Sequence, residues 1–179
     1  MNYVDRKRTM DKRRISFEEY KGYVGAICRD IVISDWQPDY VVGVTRGGLL
    51  AATMISHYFK IPMHTLKVAL RDHADTESNL WMSEEAYGYG DEVIPKNILI
   101  VDDINDSGAT LNWIMKDWQS TCLPLSERWN HVWNQNVKFA VIADNLASDC
   151  DVKMDYVGFE VNKAEEDVWI DFPYESWWE

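Results

Sequence analysis

Apolar positions along the chain follow two periods that take turns. After Ser16, the residues Tyr20, Val24, Ile27 and Ile31 recur at helical spacing, and Ser16 with Glu19 has the pattern of a capping box, so a first helix is predicted. Pro38 interrupts this pattern before a compact apolar run at 40–44. That run ends in Thr45, Arg46, Gly47 and Gly48 and passes into a helical stretch at 49–59, which reads as strand, glycine turn, helix. Residues 61–70 predict the next strand. From Arg71 to Glu92 the chain turns polar, with Gly88 and Gly90 near the end of the stretch and no sustained period. A loop of that length is either a functional lid or a disordered segment.

The β-branched apolar run at 96–101 predicts a strand buried on both faces, and a helix follows at 108–118. Trp129 and Trp133, one helical turn apart within residues 124–136, suggest a short additional helix over the core, ahead of a strand at 137–143. A further strand is expected at 155–161, and the tail at 168–179 is dense in aromatics. Strand and helix alternating across short glycine-bearing turns predict an α/β fold, a mainly parallel central sheet flanked by helices. Ligands then sit at the carboxyl ends of the strands.

A chain of 179 residues, 46% of them apolar, is expected to form one domain over 15–179, preceded by an arm at 1–14. The net charge of −12 argues against a broad nucleic-acid surface. The arm departs from that balance, with Arg6, Lys7, Arg8, Lys12, Arg13 and Arg14 against only Asp5 and Asp11. It reads as a solvated, flexible terminus, RNA contact being the alternative. Cys28, Cys122 and Cys150 form no CxxC pair, and no apolar run approaches the ~18–20 residues of a membrane span, so a cytoplasmic protein with reduced thiols is expected. His57, His64, His73 and His131 show no metal-ligand spacing, and no GxxxxGK(S/T) loop occurs.

The chemistry concentrates in ILIVDDINDSGAT, from Ile98 to Thr110. Four apolar residues bring the chain to the edge of a sheet, where Asp102 and Asp103 emerge on opposite sides of the backbone. Asp106, Ser107, Gly108, Ala109 and Thr110 then turn into a helix N-terminus, whose N–H groups and dipole favour an anion. Two adjacent carboxylates can accept hydrogen bonds from vicinal hydroxyls, or hold Mg²⁺ directly or through water. A strand followed by an Asp-capped helix would share part of this pattern; a sugar phosphate accounts for all of it.

The segment resembles the signature of type I phosphoribosyltransferases, enzymes that bind 5-phosphoribosyl pyrophosphate (PRPP). The resemblance implies that Asp102 and Asp103 face the ribose and that 106–110 bind its 5′-phosphate. Thr45, Arg46, Gly47 and Gly48 are similar to the family's pyrophosphate loop, which implies a cis peptide between Thr45 and Arg46. The polar stretch from Arg71 resembles the family's mobile catalytic loop, at about 71–92, with Arg71 as its cation or as an ordinary loop arginine.

Residues 155–161 and 168–174 are similar to the hood, about 155–179, of the branch that uses hypoxanthine, guanine and xanthine. Trp169 is then expected to stack on the base and backbone beside Ile170 to read its edge, core packing being the other account of Trp169. Where that branch carries a base-contacting lysine, this chain has Asn145. Lys163 can substitute if its segment folds inward. Residues 124–136 look inserted.

The resemblance implies transfer of the phosphoribosyl group from PRPP to a purine, giving a nucleoside monophosphate and pyrophosphate in purine salvage. Asp106 would take the base's proton, and Arg46 with Mg²⁺ would neutralise the leaving group. It also implies a homodimer or homotetramer. Adenine or a pyrimidine as acceptor, and a non-catalytic PRPP- or nucleotide-binding regulator, are the alternatives.

Overall fold

The computed structural model describes residues 11–68, 80–90 and 94–179. Strands β1 (Asp11–Arg14), β2 (Tyr40–Thr45), β3 (Met63–Lys67), β4 (Ile98–Asn105), β5 (Val137–Asn145), β6 (Tyr156–Val161) and β7 (Val168–Asp171) alternate with helices α1 (Phe17–Ile33), α2 (Leu49–Phe59), α3 (Leu80–Tyr87) and α4 (Ala109–Thr121). Five strands form one sheet in the order β3-β2-β4-β5-β6, and every pairing in it is parallel.

The period of two along the strands divides the core. Val41, Leu99, Val101, Ala140 and Ile142 face one side, where they meet Tyr20, Val24, Ile27 and Ile31 of α1 and Ala51, Ala52 and Ile55 of α2. Val42, Ile98, Ile100 and Phe139 face the other, against Met82 and Ala86 of α3 and Leu111, Ile114 and Trp118 of α4. β2, β4 and β5 are central, so their apolar runs are continuous rather than alternating. The first helix starts as its sequence predicts: Ser16 Oγ accepts from the Glu19 backbone N–H at 3.2 Å, and Glu19 Oε2 accepts from the Ser16 backbone N–H at 2.8 Å.

Three expectations need correction. The stretch at 71–92 is not loop throughout, because Leu80–Tyr87 is a helix with Met82, Ser83, Ala86 and Tyr87 buried. Its period is masked by Ser83, which is tolerated inside because its hydroxyl donates to the Trp118 carbonyl at 2.6 Å. Residues 69–79 and 91–93 of that stretch, Arg71 among them, lie outside the described residues.

The second correction concerns the basic arm. Its residues 1–10 lie outside the described residues, but Asp11–Arg14 form β1, a strand pairing in parallel with β7 in a separate two-stranded sheet. Its cations find partners near the C-terminus: Arg14 reaches Asp171 at 3.4 Å and Glu179 at 3.0 Å. The Arg13 guanidinium lies 4.3 Å from the centre of the Phe159 ring.

Third, 155–161 does not belong to a hood. β6 extends the main sheet beside β5, and only β7 with β1 stands apart, over the carboxyl end of the sheet. The segment 124–136 holds a single-turn 3₁₀ helix, Glu127–His131, capped by Ser126. Trp129 is buried there, stacked on Trp133 with centroids 5.3 Å apart, and its Nε1 donates to the Cys122 carbonyl at 2.8 Å. The three cysteines are free thiols. No described helix is long and apolar enough to cross a membrane.

Candidate active site

Adjacent strands β2 and β4 deliver the two glycine turns to the same sheet edge. Unlike α1, the helices that follow them carry no side-chain cap at their N-termini: α2 begins after Gly48 and α4 after Gly108, which takes a left-handed φ of 83°. The Leu49 N–H is held by the Arg46 carbonyl at 3.2 Å and the Ala109 N–H lies 3.4 Å from Ser107 Oγ, and the dipoles of the two uncapped termini, side by side, favour an anion. A Cβ on Gly108 would strike the backbone of Cys150, and the Asp149 N–H donates to the Ser107 carbonyl at 3.2 Å. The loop is therefore backed from behind, and Asp106, Ser107 and Ala109 face outward with Thr110 half-buried.

The peptide between Thr45 and Arg46 is cis, as the sequence leads one to expect. Gly47 lies against the Asp103 side chain: a Cβ on Gly47 would overlap the carboxylate, and one on Gly48 would overlap the Val101 carbonyl oxygen. Glycine is required at both positions for contact between β2 and β4 rather than for φ.

Asp102 and Asp103 are consecutive residues of β4, Asp102 buried and Asp103 half-buried beside Gly47. Asp102 is buried and accepts from the Asp103 N–H at 2.9 Å. Burial first, and the neighbouring Asp103 charge second, push its carboxyl well above the ordinary range. Asp103 is also raised by burial, opposed by the hydrogen bond from the Tyr174 hydroxyl, which donates to Oδ2 at 2.8 Å. The Tyr174 hydroxyl also lies 3.1 Å from the Gly47 carbonyl. Burial and the Asp103 charge raise the phenol, so it stands as a donor at neutral pH.

Asp103 borders two cavities. One, of about 670 Å³, is lined by Arg46, Gly47, Asp103, Tyr174, Glu175 and Trp178. The other, of about 240 Å³, is lined by Asp103, Ile104, Asp106, Lys163, Trp169, Ile170, Phe172 and Glu175. The first holds the arginine and the glycine turn suited to a polyanion; the second has an aromatic face, a carboxylate and an ammonium suited to a polar heterocycle.

Residues 16–176 match the phosphoribosyl transferase domain family. The chain belongs to that family. Relatives of this phosphoribosyltransferase include the hypoxanthine-guanine phosphoribosyltransferase of Schizosaccharomyces pombe, 20% identical over 81% of this chain and 80% of the relative. Another is xanthine phosphoribosyltransferase 1 of Saccharomyces cerevisiae, 18% identical over 93% of this chain and 90% of the relative. The crystal structure of a purine phosphoribosyltransferase from Pyrococcus horikoshii superposes with a TM-score of 0.66, at 24% identity, covering 93% of this chain and 95% of that one. The mainly parallel sheet flanked by helices is thus the family's fold, and the chain is a phosphoribosyltransferase.

Within the phosphoribosyltransferase, Trp169 and Ile170 line the smaller cavity, where the sequence leads one to look for base contacts. Asn145 does not line it. Its Nδ2 donates to the Asp106 carbonyl at 2.8 Å, and its Oδ1 accepts from the N–H groups of Ala147 at 3.2 Å and Lys163 at 3.0 Å. Buried and occupied in this way, Asn145 is a bracket between the turn after β4 and the segment after β6, and its assignment as a base contact is corrected.

The Lys163 backbone held by that bracket places its side chain in the cavity, with Nζ 2.8 Å from Asp106 Oδ1 and 5.8 Å from the centre of the Trp169 ring. The inward fold of this segment is legible only in three dimensions. Sequence reasoning assigned no role to Tyr174 or Glu175, since both reach the site by the tail's return over the sheet.

Proposed function

We propose that this phosphoribosyltransferase transfers the phosphoribosyl group of PRPP to a 6-oxopurine, hypoxanthine, guanine or xanthine, and releases pyrophosphate. The observation that carries this reading is the position of Asp103 on the border of both cavities. A substrate whose polyanion lies by Arg46 and Gly47, and whose acceptor lies by Trp169, has its sugar between them, against that carboxylate.

In this arrangement Asp102 and Asp103 orient the ribose, and the uncapped N-terminus of α4, with Ser107 to Thr110, takes the 5′-phosphate. Holding both reactants makes the substitution effectively unimolecular. A ring nitrogen of the base forms the new bond to the anomeric carbon. The carbon–oxygen bond to pyrophosphate breaks, and pyrophosphate leaves with the electron pair. Asp106 takes the proton that the nitrogen sheds, and Arg46 offsets charge on the departing group.

Asp103, a hard oxygen donor on the border of both cavities, with Asp102 beside it in β4, would hold Mg²⁺ directly or through water. When bound, the ion would neutralise pyrophosphate charge. The preference for an oxo group rests on Lys163, because an ammonium donates only and has no acceptor to offer an exocyclic amine.

The test is pyrophosphate release from PRPP and Mg²⁺ with hypoxanthine, guanine, xanthine, adenine and uracil offered separately, and Asp106→Asn as the blank. Release with oxopurines alone is expected. Release with adenine or uracil as the preferred base sinks the specificity assignment, and silence with every base sinks the reaction.

A further inference from the structure

The C-terminal tail enters the sugar end of the site through a single hydroxyl. Tyr174 Oη lies 2.8 Å from Asp103 Oδ2 and 3.1 Å from the Gly47 carbonyl oxygen, so one phenol bridges a carboxylate of β4 and the turn after β2. Those two groups already touch closely, since any side chain on Gly47 would overlap the Asp103 carboxylate. The bridge therefore closes a three-membered contact of tail, turn and acid.

The ring that carries the hydroxyl is held on two sides. Tyr174 stacks on Phe172 at 5.8 Å with planes 4° apart, and meets Tyr20 of α1 edge-on at 5.9 Å. Phe172 and Tyr20 are themselves buried, so the phenol is aimed by the core rather than free to swing. Packing alone needs only the ring. The hydroxyl points at the two groups that line the larger cavity beside Arg46, which a purely structural tyrosine has no reason to do.

We propose that Tyr174 is a positioning residue for PRPP: its hydroxyl sets the rotamer of Asp103 and pins the Gly47 carbonyl, so that the carboxylate meets the ribose and the turn meets the pyrophosphate in one fixed relation. This rests on the phosphoribosyltransferase reading of the site. Its consequence is selective. Losing the hydroxyl loosens the sugar-pyrophosphate end, where Asp103 meets Gly47, and keeps the Trp169, Ile170 and Lys163 wall of the base cavity, which Tyr174 does not touch.

The test compares the intact chain with Tyr174→Phe, which keeps the ring and its stacking, and with Asp103→Asn alone and combined with Tyr174→Phe. PRPP affinity is measured by calorimetry with Mg²⁺, the KM of PRPP and of hypoxanthine by steady-state kinetics, and folding by thermal midpoint. A hydrogen bond to a charged group predicts that Tyr174→Phe weakens PRPP binding and raises its KM about tenfold or more. The hypoxanthine KM should stay within about twofold of the intact chain, and the double variant should bind PRPP no worse than Asp103→Asn.

Unchanged PRPP affinity in Tyr174→Phe overturns the proposal. So does an equal rise in both KM values together with a lowered midpoint, the mark of a packing role. If the intact chain binds no PRPP, the reading of the site falls and the inference falls with it. That outcome is distinct from a wild-type chain that binds PRPP beside an indifferent Tyr174→Phe.

Discussion

Lys163 Nζ lies 2.8 Å from Asp106 Oδ1, inside the cavity that Trp169 walls. The lysine side chain is 15% exposed and that of Asp106 50%, so the pair sits at the cavity mouth with the cation on the inner side. A base entering beside Trp169 meets both groups.

Replacing Lys163 by Met keeps the stem and removes the donor. The KM for hypoxanthine and guanine should rise about tenfold or more, from the loss of a charged hydrogen bond, with the KM for PRPP unchanged. Steady-state kinetics with each substrate varied in turn decides it; a parallel rise in both KM values would show that the lysine holds the loop and not the base.

Asp106→Asn keeps the size of the side chain and removes its capacity to take a proton. PRPP affinity should persist while turnover falls by about 10²- to 10⁴-fold. Calorimetry for binding and pyrophosphate release for turnover separate the two effects, and normal turnover in this variant excludes Asp106 as the proton acceptor.

Asn145 makes a different prediction from the one its sequence position invites. Asn145→Ala leaves the Asp106 carbonyl and the Lys163 N–H without their buried partner, a loss of about 1–3 kcal/mol in denaturant unfolding. Asn145→Lys should not improve base binding, because the side chain points into this bracket; it should lower stability by placing a charge there. Tighter hypoxanthine binding in Asn145→Lys would contradict the geometry.

Gly47→Ala places a methyl group on the Asp103 carboxylate. PRPP binding should be lost with little change in the circular dichroism spectrum, since the clash is confined to the turn. Retention of wild-type PRPP affinity would mean that the two loops can part without cost.

Buried Asp102 sets a pH dependence for the ligand-free protein. Asp102 has a folded-state pKa above its ordinary value of 3.8, so from that pH upward the folded chain binds more protons than the unfolded one. Stability from this group falls as pH rises through that window and is fully present below it. Asp102→Asn, which needs no proton to be neutral, should raise the thermal midpoint at neutral pH and flatten its pH dependence, while weakening PRPP binding. A lowered midpoint at neutral pH would show that the ionised carboxylate is stabilising.

The sequence by itself determined the elements and the chemistry that are local. The capping box at Ser16, the continuous apolar runs of β2, β4 and β5, and the two turns after Thr45 and Asn105 depend on neighbours within a few residues; β4 alone runs past its predicted end, through Asp102 and Asp103 to Asn105. Even the cis peptide before Arg46 followed from the resemblance of that turn. What only the tertiary structure decided lies in side chains whose partners are remote along the chain.

Whether Asn145 or Lys163 lines the smaller cavity depends on how the segment after β6 folds back over the turn after β4, and no spacing encodes that return. β6 joined the main sheet rather than the hood because its partner is β5, and Asp11–Arg14 became a strand because β7 offered an edge with acids nearby. α3 escaped notice because a buried serine satisfied by a distant carbonyl looks polar in sequence and apolar in space. Long-range hydrogen bonds of this kind exist only once the sheet has assembled. The residues that join remote parts of the site, such as Tyr174 between Asp103 and Gly47, are therefore the ones the linear pattern leaves unmarked.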